Sequence, residues 1–361
     1  MGLPDLPSLL AVPGKLLIFL TVSANKIFLS PGGTFSLTSL ACALAIAVLC
    51  LLLRRKPGRR LVRFKVLLRA VFPRRIIASA STRLDVGLFL LNAFVLGLVF
   101  GWAILSYQLV SKLVNGQLIA LFGAMTPTTL PWLATAIIVT VALFLAFELG
   151  YWLDHYLCHT VPFLWEFHKV HHTAEVLTPL TNYRVHPVDT LLLMNILALI
   201  MGSTEGGFNF LFGRAAEPLT LWSSNVLILA GSYLLDHLHH THFWIAFTGV
   251  WGRLLLSPAH HQIHHSTDPL HFNKNMGSCL AVFDWLFGTL HMPAKQRQKL
   301  RFGVDDPAVT KPHSVHEGLI APVVRAFGHL KPLVVAPSTA VSRLLGRPGR
   351  DAPVLRQPGA R

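Results

Sequence analysis

Long apolar runs constrain this chain more than any other feature. Residues 35–53, 86–110 and 131–152 are almost continuously hydrophobic, and two shorter runs follow at 188–202 and 219–235. Charged residues make up only 13% of the chain, against about 25% in ordinary soluble domains. Runs of this length that do not alternate with polar residues fit a bilayer better than a soluble core. The expectation is an all-α, polytopic transmembrane helix bundle with about four to five spans or re-entrant segments. The two shorter runs would form a hairpin that just spans or re-enters. Residues 9–29, interrupted by Pro13, Lys15 and Lys26, read as an interfacial helix rather than a span.

The net charge of +15 is unevenly placed, and its placement argues against a nucleic-acid partner. Between Arg54 and Arg75 lie ten Lys or Arg and no acidic residue, directly after an apolar run. A basic cluster there sets membrane orientation and meets anionic lipid. With residues 54–85 cytoplasmic, the second and third spans return the chain to the same side, and the hairpin does so again. Every histidine cluster then falls on one cytoplasmic face. The Pro-, Gly- and Arg-rich stretch from about Pro337 to Arg361 reads as a solvated, disordered tail. The four cysteines are scattered without a CxxC pair, so no disulfide framework is implied. No cleavable signal peptide is evident at the N-terminus.

All nineteen histidines lie at or beyond residue 155. His155 and His159 form an HxxxH box continuing the third span, and i, i+4 spacing puts both imidazoles on one helical face. His168, His171 and His172 form an HxxHH box, as do His261, His264 and His265. In each, the adjacent pair can reach two different metals. Between them come Asp236, His237, His239, His240 and His242, with His186 and His271 as further candidates. His313, His316 and His329 read as ordinary polar residues. Crowded neutral imidazoles beside a membrane are costly without a metal. Eight or more ligands suffice for two ions, and the HExxH signature of zinc proteases is absent. Imidazole suits zinc, iron, copper and nickel, and iron with open positions can activate O2 against an unactivated C–H bond.

These boxes resemble the sterol desaturase / fatty acid hydroxylase superfamily of integral-membrane di-iron enzymes, over about residues 147–293. Flanking motifs support it: Asn182 to Pro187 around His186, Ser257 to Ser266, Lys274 to Gly277, and Asp284 to Gly288. The resemblance implies a cytoplasmic helical cap over a transmembrane bundle, holding two iron ions, with zinc as a substitute in isolated protein. It implies O2 as co-substrate and hydroxylation or desaturation of a lipid substrate. Ligands carried over are His155, His159, His168, His171, His172, His261, His264 and His265. One more is expected after the fifth span, with His240 favoured over His242 and His237, while His186 is ligand or ligand support. Glu148, Asp154, Asp189, Asp236, Asp268, Asn275 and Asp284 are candidates to orient the imidazoles, Asp236, Asn275 and Asp284 foremost. Residues 1–85 would be a membrane anchor and basic loop, 86–293 the catalytic domain, and 294–361 a cytoplasmic tail, partly disordered. No GxGxxG, haem or flavin module is visible, so electrons must come from a separate donor such as cytochrome b5 with its reductase, or ferredoxin. A histidine-rich metal transporter and a zinc-dependent membrane hydrolase are the alternatives. The first predicts ligands near the bilayer midplane, the second a three-ligand site with a carboxylate base.

Overall fold

The structure, a computed structural model, describes residues 6–53, 64–96, 101–304 and 314–335. Among the described residues the regular secondary structure is helical apart from one small hairpin, Thr220–Leu221 with Ser224–Asn225. Trp222 and Ser223 form its two-residue loop, both at positive φ, the geometry that matches the twist of paired strands.

Among the described residues, two helices are long and apolar enough to cross a membrane, Trp132–Thr160 (α5) and Pro187–Phe212 (α7). A third crossing exists only if the bent pair Phe64–Ile77 and Ala80–Val95, 86° apart, counts as one span. Four to five spans or re-entrant segments were expected, and the differences have local causes. The first helix, Leu6–Ala24 (α1), runs on through a π-turn at Asn25–Leu29. Leu37–Leu53 (α2) has 17 described residues, at the short end of what crosses a bilayer core, and the residues that follow it lie outside those described. The run at 86–110 is not one helix. Ala80–Leu91 (α3) continues as a π-turn to Leu96, and Ser106 then caps a separate helix, Tyr107–Phe122 (α4). Residues 97–100 lie outside the described residues, as do 54–63 of the basic run. The run at 219–235 spends its first residues on the hairpin. Asn225 then caps Val226–Gly231 (α8), which passes through a π-turn to His239.

Helix α7 packs against both α4 and α5. Gly202 and Gly206, one turn apart, make the first contact possible. A Cβ on Gly202 would stand 2.8 Å from the Tyr107 carbonyl, and one on Gly206 2.5 Å from that of Ser111. Small residues at this spacing let helices approach where the surrounding lipid supplies no hydrophobic drive. Ser39, Ala43 and Ala47 do the same on α2, where Leu238 and Phe243 pack on the two alanines.

At 29 residues, α5 is about 44 Å long, against a hydrocarbon core of about 30 Å. It therefore exceeds that thickness by several turns, and His155 and His159 stand in the last two turns at its C-terminal end. Pro162–His172 (α6) follows after Val161 alone. Pro258–His264 (α9) and Val282–Leu286 (α10) complete the region around the histidines. The region expected as a tail holds a further helix, Val315–Val335 (α11), which packs on α6; Arg325 and Glu166 join them at 2.7 Å. The boundary placed at 85/86 falls inside α3. The tail expected from Pro337, like His313, lies outside the described residues.

Candidate metal centre

The boxes reach one place by four local devices. Helix α5 presents His155 and His159 on one face. Helix α6 brings His168, His171 and His172 back against them. The helical turn His237–His239 stops at His240, whose ψ of 57° turns it out of the helix. On α9, Ser257 and His260 cap the N-terminus reciprocally, so that His261, His264 and His265 follow in register.

Nine imidazoles then divide into two groups. His155, His159, His168, His172 and His264 place one ring nitrogen each within 4.8 Å of the others, and so do His171, His240, His261 and His265. Each adjacent pair, His171/His172 and His264/His265, is split between the groups, and the rings of His172 and His265 stack across the divide at 4.6 Å.

The donor set suits a metal. In the four-histidine group, Nε2 of His240 stands 3.2, 3.0 and 2.9 Å from those of His171, His265 and His261, and His265 to His261 is 3.1 Å. The Nε2 of a neutral imidazole is either a donor or an acceptor, so among His240, His261 and His265, all three in mutual contact, at least one contact sets like against like. An ion bound tetrahedrally at 2.0–2.1 Å would set its nitrogens about 3.3 Å apart. In the five-histidine group, Nε2 of His155, His168 and His264 are buried and have no hydrogen-bond partner among the described residues. Burial, reinforced by neighbouring imidazoles, pushes His171 down to about 3 and holds His172, His240, His261 and His265 well below the usual histidine range. Burial likewise pushes His264 down to about 3. Neutral rings keep their lone pairs for a metal near pH 7.

The two groups are supported differently. His155 Nδ1–H donates to the Met276 carbonyl at 2.8 Å, His264 Nδ1–H to that of Lys274 at 2.8 Å, and His168 Nδ1–H to Asp189 Oδ2 at 3.0 Å. In the other group, Nδ1 of His171, His240, His261 and His265 is buried without a partner among the described residues.

The remaining candidates sort by position. His186 caps α7, accepting from Val188 N–H and donating to the Leu319 carbonyl. His237 Nε2 lies 2.7 Å from the Thr34 carbonyl and 2.8 Å from Ser39 Oγ, and His242 donates to the Ala70 carbonyl at 2.8 Å. These three stand outside both groups, and so does His271, whose ring meets His291 at 4.8 Å. Asp236 accepts from Ser232 rather than from an imidazole, and Asp268 caps a short turn at Leu270.

Asp284 and Asn275 touch no ligand, yet both shape the loop that does. Asp284 accepts from the N–H groups of Met276 and Gly277 at 2.8 and 2.9 Å, from Thr289, and from Trp152 Nε1. Asn275, in the left-handed region at φ 58°, donates to the His260 and His291 carbonyls. Glu148 accepts from Cys279 and Leu280 N–H. Sequence reasoning missed the carbonyl acceptors on this loop, although its Lys274 to Gly277 motif was visible. It also missed Arg184, which is buried, pairs with Asp85 at 2.9 Å, and donates to the Val170 carbonyl at the end of α6.

Residues 140–289 match the fatty acid hydroxylase family, as the histidine boxes suggested. The ornithine lipid hydroxylase OlsE of Rhizobium tropici is 31% identical over 148 residues, covering 41% of this chain and 40% of that protein. The alkylglycerol monooxygenases of Danio rerio and Homo sapiens are each 26% identical, over 175 and 170 residues, covering 46% of this chain and 33% of theirs. The chain thus spans a third to two-fifths of the length of these curated relatives. No solved structure matches.

Proposed function

We propose, with residues 140–289 as a fatty acid hydroxylase region, that this chain is a di-iron enzyme hydroxylating a membrane lipid with O2. One observation carries the reading: nine buried or half-buried imidazoles fall into two adjoining groups, with each neighbouring histidine pair divided between them. Such a cage suits two ions and exceeds what one zinc takes. Histidine-held iron, when bound, supplies O2 activation strong enough for an unactivated C–H bond. The protein's part is to hold the rings, with the 274–276 carbonyls and Asp189 fixing tautomer and aim. Burial keeps water from the centre. Hydroxylation is favoured over desaturation because the relatives named above are a hydroxylase and monooxygenases. The substrate is a membrane lipid of the sterol, fatty acyl or a related class.

The chain is read as multi-pass, with its basic segment and metal centre on the cytoplasmic side by the positive-inside rule. A separate electron donor, cytochrome b5 with its reductase or a ferredoxin, completes the system. The catalytic unit begins near Ala80, since Asp85 on α3 pairs with Arg184 beside the second box. A metal transporter is disfavoured, because the α5 histidines stand in the last two turns of that helix rather than near its middle, where an ion in transit would be held. A zinc hydrolase is disfavoured because no carboxylate belongs to either group.

The test is turnover of lipid extract by iron-reconstituted protein with reductant and 18O2. Label should appear as a lipid hydroxyl, and its absence under these conditions would overturn the reading. His171→Ala and His264→Ala, one from each group, should each abolish incorporation; retained turnover would refute the ligand assignment.

A further inference from the structure

The segment Phe64–Ile77 is not absorbed by the metal centre, and its surface is unusual. It meets Ala80–Val95 at 86°, so if the latter stands across a bilayer the former lies in the membrane plane. Phe64, Leu68 and Phe72 recur at i, i+4 and i+8 and form one stripe, with Phe64 74% exposed and the other two nearly half exposed. Lys65 and Arg69 flank the stripe, and Arg74 and Arg75 follow it, all exposed. No acidic residue occurs from Phe64 to Leu84. The inner side is occupied: Val71 packs with Ala43, Ala47, Leu238 and Phe243, and the Ala70 carbonyl accepts from His242.

We propose that Phe64–Ile77, a helix Phe64–Val71 and a short turn Arg74–Ile77 joined at Pro73, is an in-plane surface element that seats on an anionic lipid leaflet and fixes the metal centre at headgroup depth. This rests on the reading that the chain spans the membrane. An apolar stripe bordered by cations is the pattern of interfacial helices, which bury the stripe at the acyl boundary and pair cations with anionic headgroups. A soluble acidic protein would need the cations but not the stripe. The placement matters because Leu238 and His242 bracket His240, so the helix is tied on both sides to a segment carrying a candidate ligand. His242, outside the metal groups, thereby becomes the strut between the lipid surface and the site.

The full chain would be reconstituted in nanodiscs of phosphatidylcholine, with or without phosphatidylglycerol. A polarity-sensitive label is placed at Leu68→Cys, and separately at Phe72→Cys, in a Cys42→Ser/Cys50→Ser background. The exposed Gln296→Cys is the control. The expected result is blue-shifted emission at both stripe positions, quenched by brominated acyl chains, and strongest with phosphatidylglycerol. Each of Arg69→Gln, Arg74→Gln and Arg75→Gln should weaken the dependence on anionic lipid about fivefold, the equivalent of about 1 kcal/mol per cation. Aqueous iodide quenching positions 68 and 72 as strongly as 296 would overturn the proposal. So would a shift appearing only when an acidic redox protein is added. Carbonate extraction separates the two readings. Protein released by carbonate with the stripe still lipid-quenched loses the spanning reading alone; retained protein with a water-exposed stripe loses the surface helix alone.

Discussion

Asp189→Asn probes the unequal support of the two histidine groups. Asp189 is buried, with Oδ2 3.0 Å from His168 Nδ1 and Oδ1 accepting the Cys158 thiol at 3.3 Å. Asparagine keeps an acceptor for the imidazole N–H but removes the charge that makes His168 a stronger donor to a metal. Carboxylate partners of metal-bound histidines typically matter by 10- to 100-fold in affinity, or about 1.4–2.7 kcal/mol. His168 belongs only to the five-histidine group, so one of two binding steps should weaken by that factor. The four-histidine group, with no equivalent partner on its Nδ1 atoms, should bind as before. Titration of metal-free protein with Co2+, followed by absorbance and calorimetry, resolves the steps. Two steps weakened equally, or neither, would refute the division of labour.

Three further outcomes follow. Asp85→Ala strands the buried Arg184 guanidinium and should cost about 3–5 kcal/mol, read as faster thermal inactivation in nanodiscs; a loss below about 1 kcal/mol would contradict the ion pair's role. Asp284→Asn turns an amide N–H toward Gly277 N–H, losing one charge-assisted bond worth about 1.5–3 kcal/mol. Because the Met276 carbonyl holds His155, metal occupancy should fall along with stability, and a stable, fully loaded variant would be the contrary result. Metal-free protein should lose stability as pH falls from about 6.5 toward 3. Folded His171 and His264 stay neutral to about 3 while unfolded histidine protonates near 6.5, so the unfolded state binds more protons throughout that window. Acid titration followed by circular dichroism checks the sign, and a flat profile would contradict it.

What the sequence determined by itself is local and compositional. Hydrophobic length marked α5 as a helix able to span, because a bilayer core demands unbroken apolar residues regardless of neighbours. Spacing put His155 with His159, and His261 with His264 and His265, because helical periodicity is set by the backbone. Adjacent histidines pointing to different partners were readable for the same reason. Helix breaks were harder. Ser106 capping a new helix inside the run at 86–110, and the hairpin opening the run at 219–235, are small polar signals within strong apolar ones. The resemblance already favoured His240 over His237 and His242, but only the tertiary structure shows the contacts that set the three apart. All three share one short segment, and what separates them is which other chain stretches arrive: Thr34 and Ser39 at His237, Ala70 at His242, and His171, His261 and His265 at His240. The Lys274 and Met276 carbonyls were equally invisible, since every residue carries a carbonyl and only the fold decides which one faces an imidazole.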